Sequence, residues 1–247
     1  QANVALEAEI VERRRLEKLR DDVDRILLHD LRSPMGGILH LPELILDSPC
    51  LEEKDRAILS AIRDTGENLL ALLNNAMILY RIEDGSLVLK TEDLNLLGLV
   101  NKTLSSLIPL VRAKTLSVRI RLDGREVSSQ DRLVIQAESP LCLCMLYNLI
   151  GNALDASPPQ GAVQVDVFSE PARLSIRNAG EVPPEIRSRF FEKYVTSGKK
   201  QGTGLGTYSA MKIAETHGWS IELDTDTPGE TGVMVHFEAR SESSRKS

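Results

Sequence analysis

Leu16, Leu19, Val23 and Ile26 recur at steps of three, four and three residues, the spacing of a coiled-coil seam. From Leu27 the apolar stripe continues through Leu31, Pro34, Ile38, Leu41 and Ile45, displaced by one position. Such a displacement is a local break in heptad phase, and it falls just before His29. The pattern predicts one long helix over residues 5–46, with Glu12, Arg13, Arg14 and Arg15 on a solvated face. After a short turn at Ser48 and Pro49, a second stripe runs through Ile58, Ile62, Thr65, Leu69, Leu72, Ala76 and Leu79 and predicts a helix from about Glu53 to Ile82. Two long amphipathic helices joined by a short loop make an antiparallel hairpin. One hairpin cannot cover its own apolar seam, and pairing of two copies into a four-helix bundle is the economical solution.

Glu83-Asp84-Gly85-Ser86 ends this region with turn residues, and the remainder alternates element types. A helix is predicted at about 94–112, strands at Leu116–Leu122 and Leu133–Ala137 flanking a turn at 123–131, and a helix at 139–156. Strands near 162–169 and 172–178 follow, then a Gly- and Lys-rich stretch to about 203, a helix at 204–217, and strands near 219–225 and 231–238. This order predicts an α+β sandwich, with helices on one face of a mixed sheet. The expected organisation is a coiled-coil helix over 1–22 continuous with a hairpin domain over 23–88, a second domain over 93–240, and a disordered tail at 241–247.

Composition narrows the function classes. Of 247 residues 42% are hydrophobic and only 4% aromatic, so the core rests on Leu, Ile, Val and Ala. A net charge of −6 argues against a nucleic-acid binder that works by general phosphate attraction. No apolar run approaches the roughly 20 residues of a membrane-spanning helix, and there is no signal peptide. The first residue is Gln1, which suggests a piece of a longer chain. Cys50, Cys142 and Cys144 read as reduced thiols in a cytoplasmic setting.

Four clusters carry candidate chemistry. In His29-Asp30-Leu31-Arg32-Ser33-Pro34, an imidazole with an ordinary pKa near 6.5 is largely neutral at pH 7, so a ring nitrogen is free to attack. Asp30 is placed to hold the tautomer or take the proton, and Ser33, one turn later, to orient water. In the second cluster Asn148 and Asn152 stand at i and i+4 on the helix predicted at 139–156, so both amides face one side. Amide oxygens are hard ligands that suit Mg²⁺ beside phosphates. The third cluster, Ser175 to Pro183, ends a strand. Its Asn178 offers a donor and an acceptor to a heterocycle edge, and Gly180 allows close backbone approach. The fourth, Gly202-Thr203-Gly204-Leu205-Gly206-Thr207, opens a helix, where free N–H groups and the positive helix end make an anion site. Lys199 and Lys200 lie just upstream. The run lacks the Gly-Lys-Ser/Thr of a Walker loop.

Taken singly, each cluster also fits a plain structural role: a surface histidine, capping asparagines, a strand-ending turn, a flexible loop. Together, in this order, they resemble the sensor histidine kinases of two-component systems over about residues 20–240. His29–Pro34 is similar to that family's H box, Asn148–Asp155 to its N box, Asn178–Pro183 to its first glycine box, Phe190–Tyr194 to its F box and Gly202–Gly206 to its second glycine box. The resemblance implies a dimerisation and histidine-phosphotransfer domain followed by a Bergerat-type ATP-binding domain, with residues 181–203 as a mobile ATP lid. It implies that His29 takes the γ-phosphoryl group of ATP and passes it to an aspartate of a response regulator. It also implies that Asn152, with Asn148 alongside, holds Mg²⁺, and that Asn178, Gly180, Gly202, Thr203, Gly204, Leu205 and Gly206 cradle the nucleotide. Asn178 stands where the family's glycine box usually begins with Asp, and Asp155 where a phosphate-contacting cation is common. Positive charge near the phosphates then falls to Lys199 and Lys193. The alternatives are a nucleotide-binding pseudokinase that relays conformation without phosphotransfer, and a hydrolytic ATPase of the same fold. The latter typically carries Glu where Asn148 stands.

Overall fold

The computed structural model describes residues 38, 40–42, 45–46, 51–196 and 204–237. The chain divides into two compact units, one ending at Tyr80 and the other beginning at Arg81. In the first, residues 38, 40–42, 45 and 46 are helical, and helix α1 (Glu53–Glu83), whose residues from Arg81 on belong to the second unit, matches the span its stripe predicts. Arg56 donates to the Leu46 carbonyl at 2.6 Å. His29, Asp30 and Ser33 lie outside the described residues, as do the expected coiled coil over 1–22 and the tail at 241–247.

The second unit holds two sheets. A two-stranded antiparallel ribbon pairs β1 (Glu92–Asn95) with β4 (Val134–Ala137). A six-stranded mixed sheet comprises β2 (Ser117–Leu122), β3 (Arg125–Glu126), β5 (Ala162–Phe168), β6 (Arg173–Ala179), β7 (Ser220–Asp224) and β8 (Glu230–His236), in the order β3-β2-β5-β6-β8-β7. The β2–β5 pair is parallel and the other pairs are antiparallel. The helices are α2 (Leu96–Ser106), α3 (Ile108–Ala113), α4 (Ser139–Ala156), the single turn α5 (Pro184–Arg187) and α6 (Gly206–Thr216). This is the expected α+β sandwich.

One predicted element is corrected. The helix expected at 94–112 is a strand, β1, and two helices that break at Leu107. Pro109 cannot donate a helical hydrogen bond and stands in the first turn of α3, where none is required. The core follows from alternation and helical period. Val163, Val165 and Val167 of β5 present alternate side chains to one face, and Leu174, Ile176, Val233 and Val235 extend that face across β6 and β8. Against them α4 buries Leu141, Cys142, Met145, Leu146, Leu149, Ile150, Ala153 and Leu154. Alongside it α6 buries Ala210, Ile213 and Ala214.

His217 ties these two helices together. Its Nδ1–H faces the Ile213 carbonyl at 2.8 Å, so Nε2 accepts the backbone N–H of Glu138, the residue just before α4, at 3.1 Å. The ring stacks on Trp219 at 4.3 Å. Burial pushes the His217 pKa below its usual value, which keeps the imidazole neutral and able to accept.

Candidate functional site

Because its apolar positions are committed to the core, α4 leaves Asn148 and Asn152 half-buried on its other side. The first residue of α6 meets them there. A Cβ built on Gly206 would lie 3.3 Å from the Asn152 Nδ2 and 3.4 Å from the Asn148 Oδ1. Leu205 precedes the helix, and no side chain caps its first turn. The N-terminal end of α6, with the positive end of its dipole, therefore lies beside two carboxamides across a gap that a Cβ at residue 206 would crowd.

Gly204 has a different task. Its φ of +66° is a left-handed conformation, which glycine adopts without strain. Its carbonyl accepts the Tyr194 N–H at 2.9 Å. A Cβ there would come within 2.5 Å of the Tyr194 carbonyl carbon and 2.8 Å of the Val195 nitrogen. Tyr194 and Gly204, the residues that flank 195–203, are thus pinched together. Thr207 reinforces the pinch by donating its hydroxyl to the Phe190 carbonyl at 2.8 Å. Lys199, Gly202 and Thr203 lie outside the described residues.

At the other end of α4, Asn178 closes β6. It is 5% exposed, is held in register by Val163 and Thr231, and donates its Nδ2–H to the Ala179 carbonyl at 2.9 Å. Gly180 follows with φ +120°. Its N–H donates to Gly229 and its carbonyl accepts the Thr231 hydroxyl. A Cβ on Gly180 would come 3.2 Å from the Ala156 carbonyl, so the turn lies directly against the last residue of α4. With a rise of 1.5 Å per residue, Asn148 and Ala156 stand about 12 Å apart along the axis. One helix thus carries a polar amide pair at a helix N-terminus and, about 12 Å on, a buried amide beside a glycine turn.

Lys193, expected near phosphate, is engaged elsewhere. Its Nζ lies 2.7 Å from the Glu83 Oε1, whose other contact is the Tyr208 hydroxyl at 2.6 Å, and 5.1 Å from the Tyr208 ring centroid. The hydrogen bonds from Lys193 and Tyr208 lower the Glu83 pKa, and burial with the bond to Glu83 pushes the Tyr208 phenol up to about 12. This network links residues 110 and 125 positions apart and has no signature in local spacing. Cys144 sits 3.6 Å from the Asn148 amide, and burial raises its pKa to about 11, so it is a thiol packed beside the site. Among the described residues no group of three or more His, Cys, Asp or Glu side chains could hold a metal.

Known proteins resemble the chain in both units. Residues 20–85 match the His Kinase A phospho-acceptor domain, and residues 139–241 match the histidine kinase-, DNA gyrase B- and HSP90-like ATPase family. The sensor histidine kinase AruS of Pseudomonas aeruginosa is 30% identical over 210 residues, which cover 80% of this chain and 20% of that protein. The circadian input-output histidine kinase CikA of Synechococcus elongatus is 30% identical over 208 residues, covering 80% and 27%. The chain thus spans about a fifth to a quarter of these relatives. Among solved structures, full-length ShkA in complex with AMPPNP aligns at TM-score 0.63 and 21% identity, covering 90% of this chain and 46% of that one. The Acinetobacter baumannii histidine kinase AdeS aligns at 0.58 and 18%, covering 86% and 98%. At these identities the structures attest the fold.

Proposed function

Because the chain belongs to the sensor histidine kinases of two-component systems and carries their catalytic core, we propose that it binds ATP along α4 and phosphorylates its own His29. The observation that carries this reading is the convergence of Asn148 and Asn152 on the uncapped N-terminus of α6 at Gly206, with the Asn178–Gly180 turn against the other end of the same helix. The N-terminus of α6 receives the phosphates, and the Asn178 amide beside the Gly180 turn receives the base.

Asn152, with Asn148 beside it, holds Mg²⁺. The donor set fits, since neutral amide oxygens leave most of the ion's shell to water and phosphate. When bound, the ion neutralises charge on the phosphate oxygens. Phosphoryl transfer needs little from the protein beyond positioning and charge. The His29 lone pair forms the N–P bond while the bond from γ-phosphorus to the bridging oxygen breaks and ADP leaves. Asp30 accepts the ring proton, and Ser33 is placed to orient water in a separate, hydrolytic phosphatase reaction. The phosphoryl group then passes to an aspartate of a response regulator.

We also propose a homodimer through the hairpin. Ile58, Ile62, Leu69 and Leu72 of α1 are 40–58% exposed, and they recur at heptad spacing on one stripe that a second copy covers. Among the described residues no helix is long and apolar enough to cross a membrane.

The test is incubation with γ-labelled ATP and Mg²⁺, with the wild type beside His29→Ala. The expected result is acid-labile, alkali-stable label on the wild type alone, with ATP affinity equal in both. Label retained by His29→Ala would overturn the site assignment. Absence of label despite measured ATP binding would favour a nucleotide-binding relay.

A further inference from the structure

The last turn of α4 is held by a residue that belongs to none of the four sequence clusters. A helix leaves its final four carbonyls without internal partners, here those of residues 153–156. The Ala153 carbonyl accepts both the N–H and the hydroxyl of Ser157, the latter at 2.8 Å. The next two are taken by one ammonium group. Lys114 Nζ lies 3.2 Å from the Leu154 carbonyl and 2.5 Å from that of Asp155, and it reaches the Ser157 carbonyl at 3.1 Å. An ammonium has three donors, and all three are spent on backbone oxygens at the negative end of the α4 dipole.

Lys114 is itself anchored. Its N–H donates to the Leu110 carbonyl, and its own carbonyl accepts the Gln160 N–H at 2.8 Å, so the 157–160 loop wraps around it. The side chain is half-buried, and it crosses some 40 positions of sequence to reach its partners.

We infer that Lys114 is a positioning residue for metal-bound nucleotide: its ammonium fixes the last turn of α4 and thereby the aim of the Asn152 amide. Asn152 stands two residues before Leu154. In an α-helix its carbonyl is the partner of the residue-156 N–H, so fraying of this turn releases the backbone that orients it. The turn at Asn178 and Gly180 also touches this end of the helix, at Ala156, but it keeps its own anchorage in strand pairing and the Gly229 and Thr231 bonds. Loss of the ammonium therefore falls on the metal end of the site. The inference rests on the reading of Asn152 as a ligand of the metal–nucleotide complex.

The experiment is calorimetric titration of the whole chain with ADP, in Mg²⁺ and in EDTA, for the wild type, Lys114→Met, Lys114→Gln, Lys114→Arg and Asn152→Ala. The autophosphorylation KM and kcat are measured alongside. Lys114→Met is expected to weaken Mg²⁺-dependent ADP binding about 5- to 10-fold and to raise the KM for ATP similarly. Metal-free binding and kcat should stay within about twofold, and Lys114→Arg should recover most of the loss. Should Lys114→Met fail to fold, Lys114→Gln, which keeps a neutral donor, is expected to show the same Mg²⁺-selective loss at smaller size. A lowered melting temperature with equal loss in both conditions, or with no loss, would overturn the proposal and leave Lys114 as a helix cap only. Asn152→Ala separates the two ideas. If it leaves the Mg²⁺-dependent part intact, the metal reading fails; if it removes that part while the Lys114 variants do not, the positioning role alone fails.

Discussion

Gly204 and Gly206 are two residues apart in one motif, yet their alanine variants should fail in different ways. At Gly204 an alanine must hold φ near +66°, which costs a residue with a Cβ about 1–2 kcal/mol. Its methyl group would sit 2.5–2.8 Å from three backbone atoms of Tyr194 and Val195, against an ordinary carbon contact of about 3.5–4.0 Å. Backbone must therefore shift by about 1 Å, which breaks the Tyr194 N–H to Gly204 carbonyl bond, worth about 1 kcal/mol net. The sum is about 2–3 kcal/mol. At about 2–4 °C per kcal/mol for a domain of this size, differential scanning calorimetry should show a melting temperature lower by about 4–12 °C, and ATP affinity should fall at least about tenfold. Gly206 is helical, has no positive φ, and its Cβ meets only the two side-chain amides at 3.3 and 3.4 Å. Alanine there favours the helix by up to about 1 kcal/mol, so Gly206→Ala should melt no lower than the wild type while losing ATP affinity. Wild-type melting and affinity in Gly204→Ala, or an equal drop in melting temperature for both variants, would refute the reasoning.

Other outcomes follow from the remaining contacts. The lowered pKa of His217 means that the unfolded chain binds a proton first as pH falls below about 6.5. The stability it contributes is therefore full above that value and is lost on going down towards the folded pKa, and His217→Gln should flatten the pH dependence of the melting temperature between pH 7 and 5. Glu83→Gln removes a half-exposed ion pair, worth below about 1 kcal/mol once solvent screening is counted. Its melting temperature should fall by no more than about 4 °C at low salt and converge on the wild type in 1 M salt. Asn178→Ala leaves the buried end of β6 without its bond to Ala179 and should weaken ADP binding in Mg²⁺ and in EDTA alike, the contrast to Asn152→Ala in the same titration.

Much of the second unit was legible from the chain. The helix predicted at 139–156 matches α4 to the residue, because Pro140 marks its first turn and the apolar period runs unbroken to Leu154. The i, i+4 spacing of Asn148 and Asn152 placed both amides on one face, and strand alternation located β5 and β6. The failures have physical reasons. Glu92-Asp93-Leu94-Asn95 has one apolar residue in four and is a strand only because β4 pairs with it. Lys114 and Glu83 carry no local signal, because their partners lie some 40 to 125 positions away. The sequence motif pairs Gly204 with Gly206 as one phosphate loop, whereas their steric surroundings divide them between a backbone pinch and an amide gap.

The pinch between Tyr194 and Gly204 has a consequence for how this protein can be altered. Residues 195–203 are flanked by Tyr194 and Gly204, which are bonded to each other, so the rest of the domain meets the same anchorage whatever sequence stands between. The entropic cost of closing a loop grows only with the logarithm of its length, about 0.6 kcal/mol for each doubling. Doubling these nine residues, or exchanging them for a relative's segment of another length, is therefore a nearly neutral operation on folding. The stretch is a natural place to graft a reporter or a foreign peptide, and variation there is free to follow function rather than stability.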